Sequence, residues 1–570
     1  MSRSSGFADA MNPVEIERAS IHAEATDRDW WRGAVIYQIY PRSFQDSNGD
    51  GIGDLTGIRQ RLGHIAELGA DAIWISPFFA SPMKDFGYDV SDYTAVDPMF
   101  GTIEDFRALV ADAHAHGLKV MIDMVLSHTS DRHPWFAESR SSRNNARSDW
   151  YVWADAKPDG SPPNNWLSIF GGSAWQWDTS RCQYYMHNFL DSQPDLNFHN
   201  PDVQDALLDV TRFWLDLGVD GFRLDTINFY FHSRGLEDNP ALAPEERDAS
   251  TAPAVNPYNY QDHVYDKNQP ENLAFLKRFR ALLDEYPAAA AVGEVGDAQR
   301  SLQIMADYTA GDDRIHMCYS FEFLSGTMPA PGRFSSVVDR FFRAAPDGWP
   351  CWAFSNHDVE RHASRWTAGL DTPTRLKFQK LLAGVLLTLR GSVCLYQGEE
   401  LGLPEAELSF EDLQDPYGIR FWPEFKGRDG CRTPMVWDGH TANGAFSSAT
   451  RPWLPVAMTH LPLAVSEQAG VEGSLLEFYR SLLAFRRAHP ALVKGGFDVV
   501  NLGPDILAFR RDRDGERLLC AFNFSTDETR AALPDGMAAA PLDGHGFGGT
   551  LSQGFLHLPA LDGFIGTVDA

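Results

Sequence analysis

The chain is expected to fold as a closed, parallel (β/α)8 barrel with one long insertion, followed by a small antiparallel β-domain. Three observations predict this. Eight short apolar runs alternate with longer amphipathic stretches; long polar segments interrupt that rhythm at two places; and after about residue 490 the pattern changes to short strands and turns. A doubly wound open sheet fits the alternation too, and periodicity does not separate the two.

The apolar runs are 35–40, 72–77, 119–126, 219–224, 288–295, 317–323, 351–355 and 393–396. Helical patterns lie between them. Residues 103–116 carry apolar side chains at three- and four-residue spacing, and 201–217 opens on Pro201 and Asp202 and stops at Gly218. The longest apolar run, 381–389 between Lys380 and Arg390, reads as a buried helix. It is far short of the roughly 18–20 residues a membrane span needs. Between the third and fourth runs, residues 127–218 begin with a polar stretch rich in Trp, Asn, Ser and Gly, which reads as an inserted subdomain. A second insertion, 228–272, carries Pro and Asn clusters; loops this long in a compact enzyme usually serve function. Strand-like segments 497–502, 506–511 and 517–524 then lead into a Gly-rich stretch. The expected division is a barrel of residues 1–126 and 200–489, a subdomain of 127–199, and a β-domain of 490–570.

Composition narrows the partners. The 570 residues include 49 basic and 78 acidic side chains, a formal charge of −29. A nucleic-acid binder needs a basic face, and anionic membranes repel this chain, so neither partner is expected. The first 29 residues mix charges and hold no apolar signal core, which points to a cytoplasmic protein. Six scattered cysteines without CxxC spacing read as free, buried thiols rather than a zinc site. The oligomeric expectation is a monomer or homodimer.

Chemistry-bearing residues cluster just after the apolar runs. Asp123-Met-Val-Leu-Ser-His128 follows the third, Gly221-Phe-Arg223-Leu-Asp225 the fourth, Gly293-Glu294 the fifth and Asn356-His357-Asp358 the seventh. In a barrel these positions converge at the C-terminal mouth, where catalytic groups sit. One carboxylate after a strand is commonly a cap or an ion pair. Three after different strands, with Arg223 two residues before one of them, point to a site.

These four motifs, DMVLSH, GFRLD, GEV and SNHD, resemble those of the α-amylase superfamily, glycoside hydrolase family 13, over residues from about 31 to the C-terminus. The segment 193–197, QPDLN, resembles a fifth motif of its α-glucosidase and oligo-1,6-glucosidase branch. The resemblance implies a TIM barrel, a subdomain B inserted after strand three, and a C-terminal β-sandwich. It also implies a retaining glycosidase acting on a small α-glucoside or oligosaccharide. Asp225 is then the nucleophile that forms a covalent β-glucosyl ester, Glu294 the acid and base, and Asp358 the residue that binds the distorted sugar and raises the pKa of Glu294. Arg223 is expected to keep Asp225 ionised, and His128 and His357 to bind the same sugar. A retaining pair needs carboxyls about 5 Å apart, which neighbouring strands spaced about 4.8 Å provide.

Substrate size and linkage are implied by the same resemblance. Asp85 matches the position that holds the 4-hydroxyl of a terminal glucose, and Tyr88 the ring that stacks on its face. Arg428, with Arg432 as the alternative nearer subsite +1, is the expected partner that closes the pocket behind one sugar. Such a pocket implies exo-action. Thr226, after the nucleophile, leans towards α-1,4 over α-1,6 links. Sucrose hydrolysis, isomerisation or glucan synthesis is the alternative, although no RLDRD-like segment of the sucrose isomerases is present. Aromatics of the second insertion (Phe229, Tyr230, Phe231, Tyr258, Tyr260) are expected to line the acceptor side.

The loop after the first apolar run carries a metal motif. Asp46, Asn48, Asp50 and Asp54 place side-chain oxygens at positions 1, 3, 5 and 9, Ile52 offers a carbonyl at 7, and Gly51 is at 6. This is the front half of a calcium loop. Gly57 replaces the glutamate at position 12, so it is not an EF-hand. The resemblance implies structural calcium, or magnesium, and no organic cofactor.

Overall fold

The structure, a computed structural model, describes residues 27–569 apart from 325 and 327. The reading of the N-terminus as lacking a secretory signal falls largely on residues 1–26, outside the described residues.

Eight strands form the barrel: β1 Val35–Ile39, β2 Ala72–Ile75, β3 Lys119–Met124, β4 Gly221–Leu224, β5 Ala290–Val295, β6 Met317–Ser320, β7 Cys351–Ala353 and β8 Ser392–Tyr396. They pair in parallel in the order β6-β5-β4-β3-β2-β1-β8-β7. The cylinder closes between β6 and β7 through one parallel bridge, Cys318 to Pro350, so the open-sheet alternative is set aside. Nearly every barrel-strand residue is buried, because helices cover one face and the barrel interior fills the other. Alternation sorts them. Ile36, Trp74, Met121, Val292, Tyr319 and Cys394 share an interior cluster, whereas Val35, Tyr37, Ile39, Phe222 and Leu224 join the layer beneath the helices. By the same alternation Arg223 faces inward.

The helices begin and end where their caps dictate. Asp54 caps α1 (Leu55–Leu68) by accepting the Gly57 amide, and Gly69, at φ 99°, stops it. Thr102 and Asp105 form a reciprocal capping box at α2 (Ile103–Ala115). Asn200 caps α3 (Pro201–Asp216) one residue before the expected start. Residues 381–388 of that run form the buried C-terminal half of a longer helix, Thr372–Thr388, and Leu389 is its C-cap. Among the described residues no helix is long and apolar enough to cross a membrane.

Between β3 and β4 the chain forms a helix, Pro134–Ser141, and a three-stranded antiparallel sheet of Trp153–Ala154, Gln183–Met186 and Trp175–Asp178. It has its own core, including Val152, Trp166, Trp175 and Met186. The C-terminal region packs a five-stranded antiparallel sheet against a three-stranded one, with Leu519, Ala521, Leu556, Leu558 and Phe564 between them. The strand expected at 497–502 shortens to Asp498–Val499, whose side chains are exposed. The cysteine expectation needs one correction. All six are free and five are buried, but Cys182 is exposed on a turn where φ is 53°.

Candidate active site

Arg223 organises the floor of the barrel mouth. It is fully buried, and its Nη1 donates to Asp225 Oδ1 at 2.6 Å and Asp123 Oδ1 at 2.8 Å. Its Nη2 lies 2.7 Å from Glu294 Oε2 and donates to the Tyr319 hydroxyl at 2.8 Å; that hydroxyl donates on to Glu294 Oε1 at 3.0 Å. Asp225 and Glu294 therefore share one guanidinium. Each follows from the strand register: Gly293 pairs with Leu224, which sets the next residue of each strand side by side. Gly293 must lack a side chain, since a Cβ there would meet Ile227 Cδ1 at 2.2 Å. Thr226 bridges the pair. Its amide donates to Glu294 Oε2 at 3.2 Å and its hydroxyl to Asp225 Oδ2 at 3.3 Å, from a left-handed backbone at φ 40°. That conformation is strained for a β-branched residue.

Burial shapes the ionisation of this cluster. It pushes Asp225 up to about 7, against the pull of Arg223 and with the help of Asp123 and Asp358. It pushes Glu294 up to about 7 as well, Arg223 again opposing, Asp225 and Asp358 assisting. Arg223 pulls Asp225 towards the ionised form, the direction expected of it, against the larger opposing effect of burial. One guanidinium divided among Asp123, Asp225 and Glu294 does not offset the loss of water around all three. Asp358 behaves oppositely. Burial would raise it, but the guanidinium groups of Arg428, Arg432 and Arg223 hold it well below the usual carboxylate range. Burial keeps His128 neutral, its pKa lowered to about 4, and drives His357 well below the usual imidazole range.

A second charged knot closes one end of the site. Arg428 Nη2 donates to Asp85 Oδ1 and to Asp415 Oδ1, both at 2.8 Å, and Nη1 donates to Asp358 Oδ1 at 3.2 Å. Asp415 also accepts the Arg428 backbone amide and Nε. Arg432 donates to Asp358 Oδ1 at 3.0 Å and to the His357 carbonyl at 2.7 Å. Gln193 donates to the other oxygen of Asp85 at 3.0 Å and touches His128 Nε2 at 3.2 Å. The Tyr88 hydroxyl donates to Asp123 at 3.0 Å and lies 2.5 Å from His357 Nε2, with the two rings parallel within 2°.

The resulting cavity, about 730 Å³ and open to solvent, is lined by Asp85, Tyr88, His128, Asp225, Thr226, Glu294, Asp358 and Arg428. Ten residues are expected at this site from the sequence: the three carboxylates, Asp85, Tyr88, His128, Arg223, Thr226, His357 and Arg428. Eight face the cavity; Arg223 and His357 stand behind its wall, as does Arg432. The rest of the lining is largely apolar: Ile169, Phe170, Phe189, Phe229, Phe321 and Tyr417, with Phe170 stacked on Tyr417 and 5.0 Å from the Arg428 guanidinium. Of the five insertion aromatics expected there, Phe229 alone lines the cavity. Tyr230 and Phe231 pack on Phe198 in the core, Tyr258 stacks on His263, and Tyr260 is exposed beside Arg247. Sequence reasoning missed Asp415, Tyr319, Tyr417 and Phe170. Asp415 caps a short helix, Pro416–Phe421, and only its Asp-Pro start signal was visible.

In the loop at Asp46, Oδ1 accepts the Asn48 and Gly49 amides and Oδ2 accepts the Gly51 amide and the Ser447 hydroxyl. Asn48 and Asp50 accept the amides of Asp50 and Ile52. Asp54 accepts from Ser47 while capping α1. Among the described residues no group of three or more His, Cys, Asp or Glu is gathered as a metal cluster. The donors are of the right kind, but each oxygen of Asp46 and Asp54 already accepts two hydrogens, so a cation would draw first on Asn48 Oδ1 and Asp50, which accept one amide each, and would displace part of the remaining network.

Comparisons with known proteins agree with this geometry. The model of the α-amylase catalytic domain matches residues 38–495. A probable alpha-glucosidase of Rhizobium meliloti (strain 1021) is 66% identical over 94% of this chain and 97% of its own length. An oligo-1,6-glucosidase of Heyndrickxia coagulans is 38% identical over 89% of this chain and 94% of its own. Among solved structures, the alpha-glucosyl transfer enzyme XgtA superposes with a TM-score of 0.91 at 54% identity, covering 95% of this chain and 99% of that one. The trehalulose synthase MutB from Pseudomonas mesoacidophila MX-45 superposes at 0.83 and 34%, with 95% and 99% coverage. With an eight-stranded barrel, its carboxylates at the C-terminal mouth, and a family match across most of its length, the chain belongs to the α-amylase family of glycoside hydrolases, in the α-glucosidase branch.

Proposed function

We propose that the protein is an exo-acting, retaining α-glucosidase that releases glucose from the non-reducing end of short α-glucosides, with a lean towards α-1,4 links. The observation that carries the reading is the Asp85–Arg428–Asp415 knot, which brings Asp85 and Arg428 as fixed charged groups to the cavity that Asp225 and Glu294 line. Asp225 attacks the anomeric carbon while Glu294 protonates the leaving oxygen. Glu294 then deprotonates the water, or the acceptor hydroxyl, that opens the glucosyl ester. Their common guanidinium supports the short carboxyl separation, about 5–5.5 Å, that retention requires. A carboxyl raised to about 7 suits Glu294 for giving and taking a proton near neutral pH. Asp358, held ionised, and Asp85 are placed to bind sugar hydroxyls. The similarity to XgtA supports transglucosylation beside hydrolysis. The likeness to trehalulose synthase keeps sucrose chemistry as the second reading.

Product analysis on maltose, isomaltose, nigerose and sucrose tests this. Glucose released fastest from maltose, first as the α-anomer, is the expected result; isomerised sucrose would favour the second reading. The protein is read as cytoplasmic, a monomer or homodimer. The loop of Asp46, Asn48, Asp50, Ile52 and Asp54 is proposed to hold a structural calcium ion, or magnesium, supported by its oxygen donors and by left-handed Gly49 and Gly51.

A further inference from the structure

Behind the apolar wall a lysine is buried with no exposed surface of consequence. Lys267 is 2% exposed, at the far end of the second insertion. Its Nζ donates to the Gly296 carbonyl at 2.7 Å and stands 4.6 Å from the centre of the Phe229 ring and 5.4 Å from that of Tyr258. Asp297 Oδ2, 4.0 Å away, is its carboxylate neighbour. Gly296 is two residues past Glu294 and lines the cavity, as Phe229 does.

The Gly296 peptide is held from both sides. Its N–H donates to Asn228 Oδ1 at 3.0 Å, and its carbonyl accepts Asn228 Nδ2 at 3.1 Å besides the ammonium. Asn268, next to Lys267, ties the same knot together, accepting from Asn228 at 2.7 Å and donating to Asp297 at 2.7 Å. The insertion therefore returns to brace the strand exit that carries the acid. A Cβ on Gly296 would come within 3.3 Å of Phe229 Cε2, so the glycine Cα lies close against the ring.

We infer that Lys267 is a positioning residue with two outputs: through the Gly296 carbonyl it aims Glu294, and through the Phe229 ring it shapes the acceptor wall and so the partition of the glucosyl ester between water and a saccharide. Burying an ammonium is costly and persists where its hydrogen bond and ring contacts compensate. An apolar side chain of similar length would fill the space without fixing either partner. The inference rests on the α-glucosidase reading, and the test separates the two.

Three enzymes are compared: the unaltered protein, Lys267→Met and Lys267→Gln. Each is assayed on maltose, whose leaving group needs protonation, and on 4-nitrophenyl α-glucoside, whose leaving group departs with little help. Transfer is measured against hydrolysis at high maltose. Lys267→Met should lower kcat/KM on maltose about tenfold more than on the aryl glucoside, and lower the transfer-to-hydrolysis ratio about fivefold. Lys267→Gln keeps a donor for Gly296 but no cation for Phe229. It should lose the transfer ratio while keeping the balance between the two substrates. If Lys267→Met cannot be purified folded, Lys267→Gln against Phe229→Leu decides: both must lower transfer alike. Equal loss on both substrates with an unchanged transfer ratio overturns the inference and leaves Lys267 a packing residue. Absence of activity on every α-glucoside in the unaltered protein overturns the α-glucosidase reading instead.

Discussion

The two walls of the cavity are built on different physics. On one, Asp85, Asp358 and Asp415 surround Arg428, with Arg432 and Gln193 completing the partners. Orientation there is fixed before any sugar arrives, so one ring can be read hydroxyl by hydroxyl. The other wall, Ile169, Phe189, Phe229, Phe321 and Tyr417, offers shape and few hydrogen bonds. It continues into a groove of about 1490 Å³ that shares Thr251, Phe321, Asp358 and Tyr417 with the cavity. Apolar pockets discriminate weakly between groups of similar shape. Strict choice of the glucosyl unit and tolerance of the group linked to it thus coexist in one opening.

Substitutions can break this contrast in order of severity. Asp225→Asn removes the group that both walls serve and should lower kcat on maltose by about 10⁴-fold or more, read in steady-state kinetics. Glu294→Gln should cost about 10²–10⁴-fold on maltose, with much of the loss absent on an aryl glucoside. Arg428→Ala strikes the polar wall alone. It leaves the buried Asp85 and Asp415 without a cation, while Asp358 keeps Arg432, so denaturant unfolding should show a loss of about 3–5 kcal/mol. Arg428→Lys should not restore it, because an ammonium does not reproduce the fork that grips Asp415.

Smaller effects sharpen the floor between the walls. Activity requires Asp225 ionised, so it falls as pH drops through that group's pKa near 7. Asp123 is one of the charges that raise this pKa, so Asp123→Asn should move the acidic limb of the kcat/KM profile to lower pH; an unmoved or upward-shifted limb contradicts the assignment. The smallest effect lies outside both walls. Calcium at about a hundred times its Kd stabilises a site by about 2.7 kcal/mol, so EDTA should lower Tm by a few degrees and calcium should restore it. A Tm indifferent to both removes the metal from the loop at Asp46.

Much of this arrangement was legible from local pattern. Asp225, Glu294 and Asp358 each stand beside an apolar run, and strand pairing alone brings such positions to one mouth. Asp85 and Arg428 were legible by resemblance, although 343 positions separate them. Asp415 was not, because its partner is an arginine whose side chain reaches it only after the 415–428 loop folds back. The insertion aromatics misled for a related reason. Phe229 ends a 3₁₀ turn, Ile227–Phe229, and faces the cavity, whereas Tyr230 and Phe231 just past it pack on Phe198, so their shared composition did not imply a shared surface. The ionisation of Asp225 depended on how many carboxylates Arg223 serves, a sum over strands β3, β4 and β5 that no single motif contains.

The barrel is laced tightly at seven seams and by one bridge at the eighth, where Cys318 N reaches the Trp349 carbonyl at 3.4 Å. Asp225 and Glu294 stand on the tight side of that seam and Asp358 beyond it. Strand pairing and one shared guanidinium therefore set nucleophile and acid side by side, whereas Asp358, across the single-bridge seam, is held by Arg428 and Arg432 instead.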